Sequence, residues 1–217
     1  MDFLAARKQM LESQVRVNDV TDLRLQRALA ETPRELFLPS ELRELAYVER
    51  DIEYAPNRWL MRVRDFSKLI GVARPDEGEL VLNLFCGSGY SAAILSQLSE
   101  MVVAVESDED LVRTAEENLN TLGLSNAAVI AGAPGEGAAA QGPFDLIIID
   151  GVVEQNPDAL MSQLKDGGRL AAIVRENGVS RGVLFRRDGD VSSHKPFFDA
   201  GTKAVLPEFA AEKTFAF

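Results

Sequence analysis

Apolar positions in the first 75 residues recur at helical spacing. Leu4, Leu11 and Val15 share one face, and Leu25, Ala28 and Leu29 repeat the interval further along. No alternation of the strand type interrupts them. Thr21 stands where a cap for the second helix is expected, and Thr32 before Pro33 reads as an N-cap with proline at the first helical position. The stretch YAPNRW breaks the pattern, WLMRVRDFSKLIGVA resumes it as a further helix, and RPDEGE marks a boundary.

From residue 79 the period changes. ELVLNLF is a continuous apolar run, suited to a central parallel strand covered on both faces. A helix over 90–98 follows, then the strand MVVAVE, then a helix near 108–122 opened by Ser107 and Asp110 as a capping box. AAVIA and FDLIIID are further strands. Asn156-Pro157 opens another helix that ends near KDGG, and GRLAAIV, GVLFRR and KTFAF supply the late strands. Alternation of this kind predicts an α/β fold with a doubly wound, Rossmann-like sheet and right-handed crossovers. The expected organisation is an N-terminal helical region over 1–75, packed on a main domain over 76–217.

Composition narrows the function classes. The 217 residues carry 34 acidic and 23 basic side chains, a net charge of −11. A surface of that sign repels phosphate backbones and anionic lipid, so neither nucleic acid nor a membrane is the expected partner. Cys86 is the one cysteine and His194 the one histidine, which rules out an internal disulfide and a zinc site of the Cys/His kind. A Ser-His-Asp hydrolase would have to use His194, within DVSSHKPFF, and no nucleophile motif accompanies it. The amphipathic start MDFLAARKQMLESQ lacks the unbroken apolar stretch of a signal peptide, and no segment is long enough to span a bilayer. A cytoplasmic location is expected, as monomer or homodimer.

The candidate chemistry lies in VLNLFCGSGYSAAIL. Cys86, Gly87, Ser88 and Gly89 form a tight turn between the first main-domain strand and its helix, at the carboxyl end where doubly wound sheets bind ligands. Glycines there let backbone N–H groups approach a ligand. Glu106 ends the next strand, 17 residues after Gly89, about where an acid for two ribose hydroxyls belongs. Both a dinucleotide and S-adenosyl-L-methionine fit a glycine turn plus a ribose acid. An NAD-dependent oxidoreductase is the weaker fit, since no catalytic His or Lys-Tyr pair is in evidence.

CGSGYSAAIL, VVAVESDEDL, PFDLIIIDGVVEQNP and LKDGGRLAAIV resemble, in order and spacing, the motifs of class I S-adenosylmethionine-dependent methyltransferases. TDLRLQRALAETPRELFLPSELRELAYVERDI narrows this, being similar to the N-terminal signature of the protein-L-isoaspartate O-methyltransferase family. The resemblance implies a seven-stranded mixed sheet and methylation of isoaspartyl carboxylates in damaged proteins, with S-adenosyl-L-methionine as donor and a protein or peptide as acceptor. It also implies that Gly87, Ser88 and Gly89, with the adjacent Cys86, line the cofactor. Glu106 and Ser107 would hold its ribose, and Gly132 and Ala133 would lie near its adenine. Asp150 would stand beside the methyl-transfer site.

Several positions depart from the family pattern. The first loop glycine is Phe85, the acid two residues before it is Asn83, and the adenine-side acid is Ala133. The T-I-S-x-P substrate loop aligns with Trp59-Leu60-Met61-Arg62-Val63, which puts Met61 at the site of a hydroxyl. A thioether donates no hydrogen bond. Three lost polar cofactor contacts at roughly 1 kcal/mol each imply on the order of a hundredfold weaker binding. The ring of Phe85 is equally compatible with turning into the core, and Arg58, Arg62 and Arg64, clustered near the substrate loop, suit attraction of a carboxylate substrate but read first as a solvated face. An active carboxyl methyltransferase is the first reading. A catalytically impaired descendant, kept as a binding or regulatory module, is the alternative.

Overall fold

The computed structural model describes residues 1–211, so KTFAF, expected as a last strand, lies outside the described residues. Helix α1 (Phe3–Met10) starts where the Asp2 carboxylate accepts the Ala5 amide at 3.0 Å, and a single π-turn (Leu11–Val15) prolongs it. Helix α2 (Leu23–Glu31) is capped by Asp22 and not by Thr21. The Asp22 carboxylate reaches the amides of Arg24 and Leu25, which Thr21 stands one residue too early to do. Thr32 closes α2, and the chain passes through Pro33 into a short 3₁₀ turn (Arg34–Phe37).

The segment expected to separate two helices is instead a hairpin. Strands β1 (Ile52–Ala55) and β2 (Arg58–Leu60) pair antiparallel around Pro56 and Asn57, and Asn57 takes a φ of 58°, a conformation asparagine tolerates well. Helix α3 (Val63–Ala73) therefore begins later than the apolar pattern suggests. Strands of three and four residues are too short to show a period.

Seven strands form the main sheet: β3 (Leu80–Leu84), β4 (Met101–Glu106), β5 (Ala127–Ala131), β6 (Phe144–Val153), β7 (Leu164–Glu176), β8 (Val179–Asp188) and β9 (Val191–Ala200). Their order is β5-β4-β3-β6-β7-β8-β9. The first five run parallel, while β7, β8 and β9 are antiparallel neighbours, so the sheet is mixed as expected. Helices α4 (Tyr90–Ser96) and α5 (Glu109–Thr121) follow β3 and β4. The cap of α5 is Asp108, which accepts the amides of Asp110 and Leu111, and not Ser107. The helix after Pro157, α6 (Asp158–Met161), is only four residues long, and the KDGG stretch belongs to β7.

The two faces of the sheet bury separate cores. On one, Met10, Leu29, Phe66 and Ile94 pack with Val81, Leu146 and Ile148, which binds the N-terminal helices to the sheet. On the other, Leu82, Leu84, Ile147 and Ile149 pack with Phe85, Phe144, Leu164 and Phe209. The strict alternation of β3 and β6 between these cores fixes their register. It also brings their carboxyl ends together with that of β4. Among the described residues no helix is long and apolar enough to cross a membrane.

Candidate functional site

At the carboxyl end of β3 the chain turns sharply through Phe85, Gly87 and Gly89, all at positive φ (60°, 52° and 97°). Glycine takes that conformation freely, but for phenylalanine it costs about 1–2 kcal/mol. What compensates is burial of the ring. Phe85 is fully inside the second core, edge-on to Phe209 at 6.0 Å between centroids. Gly89 permits a second close approach, since a Cβ there would lie 3.1 Å from the Ala115 Cβ of α5.

Glu106, the last residue of β4, is completely buried. One carboxylate oxygen accepts the Gly87 amide at 3.0 Å, and the other accepts the amides of Ser107 (2.7 Å) and Asp108 (3.1 Å). Arg58 of β2 completes the shell: its Nε and Nη2 each donate to a different oxygen of Glu106 at 2.8 Å. Nη2 also donates to the Ser107 hydroxyl, and the guanidinium lies 5.2 Å over the Phe85 ring. Burial pushes the Glu106 carboxyl up, but the hydrogen bonds and charge of Arg58, with the Asp108 and Ser107 amides, outweigh it and hold the group below its usual range. The same ion pair keeps Arg58 charged against its own desolvation.

Tyr54 of β1 covers the turn from the same side. Its hydroxyl accepts the Ser88 amide at 3.0 Å, and a Cβ at Gly87 would collide with it. The remaining polar atoms of Ser88 are used internally as well. Its hydroxyl donates to the Phe37 carbonyl at 2.7 Å, and its own carbonyl accepts from Asn118 at 2.9 Å. The Cys86 thiol is buried beneath the turn, where desolvation and the nearby carboxylates of Glu106 and Asp150 raise its pKa well above normal.

Asp150 stands in β6 where the pairing with β7 slips, since one residue of β7, Ala172, opposes three of β6, Ile149, Asp150 and Gly151, between the Ile148–Ala171 and Val152–Ile173 pairs. Such a bulge re-aims side chains at the end of a strand. Burial pushes the Asp150 carboxyl up to about 6, and the Glu106 and Asp51 charges add to this, against Ser91 and Arg34. Beneath it, Asn83 is fully buried and accepts the Ser91 hydroxyl at 2.8 Å. The Asn83 amide nitrogen, the Tyr90 hydroxyl and Nη1 of Arg34 are buried with no hydrogen-bond partner among the described residues.

Cys86, Gly87, Ser88, Gly89, Glu106 and Ser107 thus form one cluster. Gly132 joins it through its amide, which donates to the Glu106 carbonyl at 3.0 Å, while its surface and that of Ala133 are exposed. Met61 is buried in the first core, and its carbonyl accepts from Arg34. Arg58 overturns the expectation of a solvated face. Its neighbours Arg62 and Arg64 are partly buried too, Arg64 donating to Asp65 at 2.8 Å and Arg62 lying 3.8 Å from Asp51. Sequence reasoning missed Tyr54 and Arg34 altogether. Arg34 stacks 4.8 Å over the Tyr90 ring and donates to the carbonyls of Ala46 and Met61.

A family model described as protein-L-isoaspartate(D-aspartate) O-methyltransferase matches residues 5–196. The chain is 34% identical to protein-L-isoaspartate O-methyltransferase 2 of Shewanella sediminis, across 87% of this chain and 78% of that protein. With the protein-L-isoaspartate O-methyltransferase of Methanoculleus marisnigri it shares 31% identity, over 86% of each. A solved protein-L-isoaspartate O-methyltransferase superposes with a TM-score of 0.77 at 21% identity, covering 89% of this chain and 64% of that one. A second, from Plasmodium falciparum and solved with S-adenosyl-L-homocysteine, gives 0.73 at 18% identity, with 89% and 95% covered. These two likenesses concern the fold.

Proposed function

Because the chain belongs to the protein-L-isoaspartate O-methyltransferase family, we propose that it is an S-adenosyl-L-methionine-dependent carboxyl methyltransferase whose acceptor is an isoaspartyl-type carboxylate in a protein or peptide. The observation that carries this reading is Glu106. It is a buried, ionised acid at the carboxyl end of β4, its oxygens turned toward the Gly87–Gly89 turn of β3. That is the place and the chemistry for two ribose hydroxyls. Asp150, on β6 across β3 from Glu106, is the acid nearest the reacting side in this reading. Methyl transfer asks little more of side chains than alignment, since a sulfonium donor carries its own activation.

In this arrangement, however, the chain's own side chains occupy the contacts a donor would need. Both oxygens of Glu106 are engaged by Arg58, and the Tyr54 hydroxyl lies against Gly87, where the backbone must be open for a ligand to approach. The turn and the acid are intact, but their ligand-facing positions are taken by β1 and β2. The occupied acid is the observation behind the alternative, a catalytically impaired descendant kept as a binding or regulatory module.

Transfer of labelled methyl from S-adenosyl-L-methionine to an isoaspartyl peptide, with the aspartyl peptide as control, separates the two. Label on the isoaspartyl peptide above the enzyme-free background supports the transferase. None at saturating donor and peptide refutes it.

A further inference from the structure

We propose that the β1–β2 hairpin is a built-in plug of the cofactor cradle, and that a nucleoside ligand gains Glu106 only when Arg58 and Tyr54 swing away. This rests on the methyltransferase reading above and adds to it the step that admits the donor.

Three observations carry the proposal. The first is mimicry at the acid. Arg58 offers Glu106 two parallel N–H donors, one to each oxygen at 2.8 Å, as two neighbouring ribose hydroxyls would. The second is the phenol of Tyr54, which takes the Ser88 amide and covers Gly87, leaving no room on the face of the turn that glycine keeps open. The third is the way the hairpin is attached. Among the described residues, β1 and β2 pair only with each other and form no ladder with the seven-stranded sheet.

A lone two-stranded ribbon is marginal by itself, so side chains must hold it in place. Ile52 and Leu60, at its two ends, are buried in the first core and suit a hinge. Asp51 adds ties just outside it, accepting the Arg62 amide at 2.9 Å and the Lys203 amide at 3.0 Å. The tip at Pro56 and Asn57 is exposed. Between hinge and tip, the polar links to the turn run through Tyr54 and Arg58. Phe85 belongs to the same device, for its ring is the surface on which the guanidinium lies.

Calorimetric titration with S-adenosyl-L-homocysteine tests this on the whole chain, with tryptophan fluorescence as a second readout. Trp59, the single tryptophan, adjoins Arg58 on β2 and reports movement of the hairpin. The variants are R58A, R58M, which keeps an apolar stem on Phe85, and Y54A, each checked for native circular dichroism. The plug predicts at least tenfold tighter binding by R58M or Y54A than by the parent chain, and a Trp59 shift on saturation of the parent. Equal affinity in parent and folded variants, without a Trp59 shift, overturns the plug and leaves the donor reading standing. Folded variants that all fail to bind at millimolar ligand overturn the plug and the donor reading together.

Discussion

Phe85 at the end of β3 and Phe209 near the end of the described chain meet edge to face, centroids 6.0 Å apart and planes at 66°. This contact holds the left-handed backbone of Phe85 (φ 60°) in place. Two terms oppose each other here. Removing the ring costs about 3–5 kcal/mol of core packing, while glycine at this φ recovers about 1 kcal/mol. F85G should therefore be destabilised by about 2–4 kcal/mol in urea unfolding, and F85A should be about 1 kcal/mol less stable than F85G. That order reverses the usual advantage of alanine over glycine. An F85A protein more stable than F85G contradicts the backbone assignment.

Gly87 and Tyr54 supply a second, paired test. A Cβ on Gly87 strikes the Tyr54 hydroxyl, and the φ of 52° strains any side chain there. G87A is expected to lose about 2 kcal/mol or more from overpacking together with strain. Truncating Tyr54 relieves only the collision, so Y54A combined with G87A should cost less than the sum of the single changes. A double-mutant cycle in urea reads the coupling directly. Additivity within 0.3 kcal/mol, about the limit for independent sites, would show that the two residues do not touch.

How far such features were legible in the sequence depends on how local they are. The change from helical spacing to apolar strands at residue 79 announces the sheet, and Gly87–Gly89 with Glu106 announces the turn and its acid, because each lies within one strand–helix unit. Arg58 was not legible. Its partner is 48 residues away, and nothing near RWLMRVR distinguishes a buried guanidinium from a solvated one. Strand β9 was missed for another reason. Among the described residues it is an edge strand, exposed along almost its whole length and carrying His194, Lys195 and Pro196, so no apolar alternation marks it. Arg34 reads like any surface arginine in PRELF, and only the packing of Tyr90 and the Ala46 and Met61 carbonyls around it reveals its burial.

Asp65 of α3 ties the chain after β9 to the helical layer. Its carboxylate is fully buried and accepts the amides of Gly201 (2.6 Å) and Thr202 (2.8 Å) as well as Nη1 of Arg64 (2.8 Å). D65A strands two amides and a guanidinium, and about 3 kcal/mol is expected for such a loss. At roughly 2–4 °C per kcal/mol for a chain of this size, the thermal midpoint should fall by about 6–12 °C. D65N keeps one acceptor oxygen and should fall by about half as much. A drop of under 2 °C for D65A would mean that solvent replaces these bonds freely.

The Asp150 carboxyl gives a pH dependence of known sign. Burial first, then the Glu106 and Asp51 charges, raise it to about 6 in the folded protein, against an unfolded value of about 3.9. The folded chain therefore holds this proton more tightly than the unfolded chain does. Its contribution to stability is complete below about pH 4 and is lost as pH rises through 6. Two pKa units correspond to at most about 3 kcal/mol. D150N is permanently neutral and escapes that loss. The stability of D150N relative to the parent chain should accordingly rise between pH 4 and pH 7, by an amount approaching that ceiling. The partner most exposed to the change is Ser91, whose hydroxyl bonds Asn83 at 2.8 Å beside it. Urea midpoints collected across this range measure the difference. A D150N-minus-parent difference that stays flat with pH, or falls, would place the Asp150 charge in a solvated setting and remove it from the buried cluster beneath the turn.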